Sequence, residues 1–410
     1  MTTATFVIVG AGQAGGWAAK TLRDQGFSGR IVLYGSEAHP PYERPPLSKG
    51  VIAGSTPLSE TMLFTPAQLQ ADGIEFFPRR TVRGLKPEDR LIILDDGEAV
   101  SYDRALLCTG GRPLVPAFHG ADSRDVFFLR TFDDAERLKD RLSRPRQKVV
   151  VIGAGWIGLE VAATARSLGN DVRIFEAANR VCARSVIPEV SPILAALHET
   201  QGVDIQVSSK VSSIEPLFSG GSTVRLSNGQ EHYADVVVLG TGLVSNDGLA
   251  REAGLACDGG ILVDTRCRTS DEHIFAAGDV TVIEYGHLGI RSRLESWQNA
   301  QDQGVAAARA MLDQEVSYQP VPLVWSEQYD AMIQLAGHAQ LATHGVVRPL
   351  GDKSGLLAFG LDASGQVKMA VGINAGREYR VARRFVEGSI SVDPHRLADP
   401  ATLLSSLLAR

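Results

Sequence analysis

FVIVGAGQAG at residues 6–15 and VVVIGAGWIG at residues 149–158 decide how this 410-residue chain is read. In each, four apolar residues run into three glycines: Gly10, Gly12 and Gly15 in one copy, Gly153, Gly155 and Gly158 in the other. The first glycine supplies a tight turn, the second a close backbone approach for a pyrophosphate, and the third close packing of the next helix on its strand. That helix aims the free N–H groups of its first turn at the phosphate charge. Ala14 and Ile157 fall inside the two loops and count with the glycines as cofactor-binding positions. One such motif is a weak signal. Two, each between a strand pattern and a helical pattern, point to a chain that binds two dinucleotides and moves electrons between them.

Outward from the first motif, Phe6–Val9 reads as a buried strand, residues 13–25 as an amphipathic helix and residues 31–34 as the next parallel strand. HPPYERPPLSK at 39–49 is too rich in proline for regular helix and suits a stiff wall beside a cofactor. The pattern restarts with strands at 149–152 and 172–175 around a helix at 156–168. YDRALLCTGG at 102–111 and ADVVVLGTG at 234–242 are parallel strand-to-glycine exits, and Gly242 joins the cofactor-binding positions. TSDEHIFAAGDV at 269–280 adds another strand ending in Gly-Asp. Beyond about residue 320, short β-like runs with a turn at Ser364–Gly365 predict an antiparallel C-terminal domain. The fold class is α/β: two Rossmann-like dinucleotide-binding domains plus a C-terminal α+β domain.

Composition narrows the function classes. Hydrophobic residues make up 44% and charged residues 21%, ordinary for a soluble protein. A net charge of −6 argues against nucleic acid or an anionic membrane as partner. With no apolar run of spanning length and no leader pattern, a cytoplasmic setting is expected. Cys108, Cys182, Cys257 and Cys267 form no close pair, so a metal site or local redox disulfide has little support and buried free thiols are the better reading.

Together these features resemble the pyridine-nucleotide-dependent flavoprotein reductases with two dinucleotide-binding domains, the glutathione-reductase-like group. PYERPPLSK at 41–49, RLESWQNAQDQG at 293–304 and WSEQYD at 325–330 resemble, within that group, the ferredoxin reductases of bacterial oxygenase systems. The resemblance covers essentially the full length. It implies FAD at the first fingerprint, with Asp279 on its ribityl or phosphate part and contacts from Arg44, Lys49, Val82, Arg130 and Trp297. It also implies the nicotinamide cofactor at the second. The FAD domain is then discontinuous, 1–109 and 243–320, with an NAD domain at 110–242 and a C-terminal domain at 321–410. Relatives often place an acid just beyond the second FAD-domain strand. Here Ser36 stands there, followed by Glu37, and both are candidates for the adenosine ribose.

Glu176 stands eighteen residues after Gly158, at the end of the second strand of the second unit. A carboxylate there accepts from the ribose hydroxyls of NAD and repels a 2′-phosphate, so NADH is favoured; Arg180 is the nearest counter-evidence. Disulfide reductases of this superfamily carry a cysteine pair where this chain has PPLSKG at 45–50. Without a thiolate, the flavin hands electrons directly to its acceptor. The resemblance puts the Lys49 ammonium near the flavin N5, paired with Glu160, and these two are the catalytic candidates. Trp297 and Trp325 are expected near the flavin, and Arg377, Arg380 and Arg384, with Arg383 beside them, form a basic helix face suited to steering an acidic partner. The expected activity is NADH-dependent reduction of a [2Fe–2S] ferredoxin that feeds a terminal oxygenase, by a monomer or weak dimer. Rubredoxin or monodehydroascorbate reduction, NADH oxidation, and an NADH-sensing interaction flavoprotein are the alternatives.

Overall fold

A computed structural model of the chain describes residues 4–123, 125–286, 288–351 and 355–408. It divides into two units. The first comprises Met1–Pro46, Pro57–Arg112 and Leu243–Pro320. Its centre is the strand Thr5–Val9, flanked in parallel by Arg30–Gly35 and then Ile74–Pro78 on one side, and by Arg104–Leu107 and then Ile274–Ala276 on the other. Val7, Ile8, Val32, Leu33, Leu106 and Leu107 are fully buried, as continuous apolar runs must be when a parallel sheet is covered on both faces. An antiparallel meander, Val82–Lys86, Leu91–Leu94 and Ala99–Ser101, occupies the connection between the third and fourth strands.

Two helices of this unit, Gln13–Asp24 and Trp297–Met311, pack on one another through small residues. Ala14, Ala18, Ala300 and Ala307 are buried in the shared core, and a Cβ on Gly304 would stand 2.4 Å from the Ala14 carbonyl oxygen. The second helix thus presses directly on the first turn of the first, which fixes that turn's amides.

The second unit comprises Leu47–Thr56, Pro113–Gly242 and Val321–Arg410. Residues 47–56, placed by the sequence reading in the first domain, pack here. Its parallel sheet runs in the order Asp204–Gln206, Asp171–Phe175, Lys148–Ile152, Val236–Leu239, Val126–Phe127. The C-terminal part is a five-stranded antiparallel sheet, Leu323–Gln328, Ala331–Gly337, Val367–Ile373, Leu356–Leu361 and His344–Pro349 in spatial order. Helix Gly376–Glu387 lays Tyr379, Ala382, Phe385 and Val386 against it. Buried Arg348 ties down the last residues, donating to the carbonyls of Leu397, Asp399, Pro400 and Thr402. The helix presents Arg377, Arg380 and Arg384 to solvent, while Arg383 pairs with Glu387 one turn on.

The contact at Gly304 predicts a reversal of helix propensity. Glycine to alanine inside a helix ordinarily gains about 1 kcal/mol, but Gly304→Ala drives a methyl into a carbonyl and loses about 1–2 kcal/mol net. Gly376→Ala, whose Cβ would meet nothing within 4 Å, is neutral or stabilising. Thermal unfolding of the two variants beside the parent checks the pair.

Candidate functional site

The three glycines of each fingerprint have three different surroundings. Gly10 and Gly153 lie at φ +110° and +103°, where a side chain is strained. Their added Cβ atoms would meet the carbonyl oxygens of Cys108 at 2.2 Å and Gly240 at 2.5 Å. The third glycines, Gly15 and Gly158, press back on their own loops, with Cβ positions 1.9 Å from the Gly10 oxygen and 2.1 Å from the Gly153 oxygen. The middle ones, Gly12 and Gly155, face open space, with nothing within 4 Å. They cap helices Gln13–Asp24 and Trp156–Ser167 without any side-chain cap, so first-turn amides stay available to an anion. This backbone fits a pyrophosphate in both units.

In the first unit the structure brings Glu37, Arg44 and Asp279 together. The Glu37 carboxylate accepts from the Tyr42 hydroxyl at 2.5 Å and from Arg44 at 2.7 Å, while Ser36 is exposed. Burial lowers the Arg44 pKa, but its neighbours Tyr42, Glu37 and Asp279 outweigh it and leave it raised. Gly278, just before Asp279, donates its amide to the buried Gln303 side chain at 2.9 Å, which fixes the Gly-Asp turn. Val82 opens the meander, paired with Leu94. Trp297 is the first residue of a helix whose Ser296 cap accepts from the Asn299 amide.

The remaining predicted positions lie in the second unit. Glu176 is held over the glycine loop by two backbone amides, Ala154 at 2.7 Å and Ala178 at 2.7 Å. One of these donors belongs to the fingerprint itself, so the loop aims the carboxylate. Arg180 is spent on the loop that follows, donating to the Val186 and Ala183 carbonyls and to the Ser191 hydroxyl. Its weight against NADH disappears. Gly242 lies at φ +116°, and its Cβ would meet the guanidinium of exposed Arg184 at 3.2 Å. The sequence reading missed Arg184, a cation at the exit of the second sheet, because no spacing rule marks it. Arg130 gives its backbone amide to Asp134 near the start of helix Phe132–Leu142. Ile157 is exposed in the first turn after the fingerprint.

A dense polar cluster surrounds Glu160, which is 3% exposed on helix Trp156–Ser167. Lys49 meets it at 2.8 Å, Ser326 donates to it at 2.6 Å, and Ser48 also bonds to it. Thr164, one turn further along the same helix, donates to the Ser48 carbonyl at 2.8 Å and so anchors the 47–56 segment. The Lys49 ammonium also lies 5.2 Å from the centre of the Trp325 ring, within cation–π range. Trp325 itself is an exposed residue of strand Leu323–Gln328, not a core tryptophan. A buried carboxylate demands such compensation, because leaving water costs several kcal/mol per ion. The cysteines supply no thiolate. All four are free, and burial pushes the Cys182 thiol up to about 12 and raises Cys108, Cys267 and Cys257 as well.

Comparison with known proteins identifies the family. Residues 4–304 match the family model of pyridine nucleotide-disulphide oxidoreductases, and residues 323–408 match the reductase C-terminal model. The chain is 37% identical over 410 residues to the ferredoxin–NAD(+) reductase component of the anthranilate 1,2-dioxygenase system of Burkholderia cepacia, covering 100% of each. It is also 37% identical to rhodocoxin reductase of Rhodococcus erythropolis, over 99% of this chain and 95% of that one. The reductase in the solved covalent putidaredoxin reductase–putidaredoxin complex superposes with a TM-score of 0.94 at 32% identity, covering 100% of this chain and 99% of that chain. With both cradles and the C-terminal sheet accounted for, the chain belongs to the pyridine nucleotide-disulphide oxidoreductase family, in the form that carries a reductase C-terminal domain.

Proposed function

We infer that this protein is an FAD-dependent NADH:ferredoxin reductase that passes electrons to a [2Fe–2S] ferredoxin serving an oxygenase. The observation that carries the reading is the Lys49–Glu160 pair, standing where disulfide reductases keep their thiols, beside a glycine loop built for a dinucleotide. The relatives named as reductase components of dioxygenase systems support the same acceptor class. Four free cysteines suit a reducing, cytoplasmic setting.

In this reading the first fingerprint, Arg44 with Glu37, and Asp279 hold FAD, and Val82, Arg130 and Trp297 complete its surroundings. The second fingerprint, Glu176 and Gly242 hold NADH. Flavin accepts a hydride as two electrons and can release them singly, which suits an iron–sulfur acceptor. Lys49 supplies a positive charge that favours the electron-rich reduced state, and Glu160 compensates that charge and orients the nicotinamide end. Neither residue needs to exchange a proton with substrate. Hydride transfer depends on stacking and distance, which the two loops and their helices set. Arg377, Arg380 and Arg384 give an otherwise acidic protein a basic face for an acidic carrier.

Mixed anaerobically with excess oxidised [2Fe–2S] ferredoxin, the holoenzyme reduces about two ferredoxins per NADH, counted at the iron–sulfur absorbance. Rapid NADH consumption under oxygen without any carrier, coupled with failure to reduce the ferredoxin, would make it an oxidase instead. Glu176→Ala removes a pre-aimed acceptor for the ribose. It raises KM for NADH by about tenfold or more with kcat little changed, and steady-state kinetics with NADPH show the discrimination between the two cofactors narrowing.

A further inference from the structure

Ser326 and Gln328 alternate with exposed Trp325 and Glu327 along strand Leu323–Gln328, so both point inward and both are fully buried. From them a hydrogen-bonded chain leads away from Glu160. The Ser326 hydroxyl is 2.6 Å from Glu160 Oε1, and Gln328 Nε2 is 3.0 Å from Ser326 Oγ. Gln328 Oε1 is 2.8 Å from Nε2 of His198, a fully buried residue of helix Ser191–Glu199. The Tyr329 hydroxyl closes the chain 3.2 Å from His198 Nδ1, its ring edge-on to the imidazole.

The charge on Glu160 dictates every proton in this chain. An ionised carboxylate only accepts, so the Ser326 proton is committed to it. Ser326 Oγ can then only accept from Gln328, which must turn its amide nitrogen inward and its oxygen toward His198. That oxygen needs a donor, so His198 carries its proton on Nε2 and leaves Nδ1 bare for the tyrosine hydroxyl. Burial lowers the His198 pKa and pushes the Tyr329 hydroxyl up to about 12, so the imidazole stays neutral and the phenol stays a donor. A second feature points the same way. Tyr329 sits at φ +56° in the two-residue turn between Gln328 and Ala331, a conformation that favours glycine. Strain of this kind persists where surrounding contacts over-determine it, and here the tyrosine reaches the imidazole.

We propose that Tyr329, His198, Gln328 and Ser326 form a positioning relay, with every proton directed at Glu160, that holds this carboxylate in register with Lys49. The role rests on the reductase reading above, in which Glu160 and Lys49 serve the hydride step. None of the four relay residues is a catalytic residue; they act through Glu160. Lys49 and Cys182 act electrostatically with Glu160, and Arg166 acts on Tyr329.

Two measurements test the relay. Nitrogen-15 NMR of histidine-labelled holoenzyme, with His198→Gln used for assignment, reads the tautomer without NADH. The relay requires Nε2 protonated, Nδ1 bare and no titration between pH 6 and 8. A His198 that titrates in the ordinary range, or carries its proton on Nδ1, overturns it, whether or not the reductase reading stands. Anaerobic rapid mixing with NADH then reads flavin bleaching between pH 6 and 9. Ser326→Ala and the isosteric Gln328→Glu slow bleaching by about tenfold. Gln328→Glu also introduces a pH dependence that the parent lacks, because two carboxylates now compete for one hydroxyl proton. Parental rates and pH profiles for both Ser326→Ala and Gln328→Glu would overturn the relay.

Discussion

A carboxylate buried to 3% exposure on the helix after the second glycine loop is the constraint around which the second unit is arranged. Glu160 cannot be left unpaired, because breaking such a pair costs about 3–5 kcal/mol. The chain compensates it with three side chains: Lys49 and Ser48 from the 47–56 segment, and Ser326 from the C-terminal sheet. The same demand explains why 47–56 packs with the second unit although the surrounding sequence belongs to the first. Thr164 holds the Ser48 carbonyl and sets the position of the lysine that follows. In the reading proposed above, this positive charge stands in place of a thiol pair.

The two dinucleotide cradles follow from backbone geometry more than from side chains. In each, the outer glycines of the fingerprint are locked against carbonyl oxygens and the middle one is open. The helix amides behind them are fixed by neighbours, most tightly in the first unit, where Gly304 brings a second helix onto Ala14. Difference between the cradles comes at the strand ends. The first places a paired Glu37–Arg44 beside Asp279, whereas the second aims Glu176 with two amides and has no free guanidinium at Arg180. On the function proposed above, that contrast suits the first unit to a flavin nucleotide and the second to NADH.

Much of this was legible in the sequence, for definite reasons. The strand before and the helix after each set of glycines lie within a residue or so of their expected ends, because a buried parallel strand and a glycine turn leave strong local patterns. The turn at Ser364–Gly365 was readable from its residues, and Asp362 secures it by accepting from the Ser364 and Gln366 amides. What could not be read depends on register between distant segments. Gln328 and His198 are 130 positions apart, and only the placement of strand against helix joins them. Arg180 looked like a phosphate ligand because its true partners, backbone carbonyls, carry no sequence signature. Arg184 was missed because no spacing rule marks it, and only the folded chain brings it to the glycine turn at Gly242.

The central claim is that Lys49 and Glu160 act as one electrostatic unit in the transfer of electrons from NADH. The direct test is a double-mutant cycle on that pair, Lys49→Met, Glu160→Gln and both together, with NADH-driven flavin bleaching followed anaerobically. The account predicts that each single variant slows bleaching by about tenfold or more, and that the double variant is no slower than the worse single one. Losses that simply multiply in the double variant would show that the two residues act independently, and the account would be wrong.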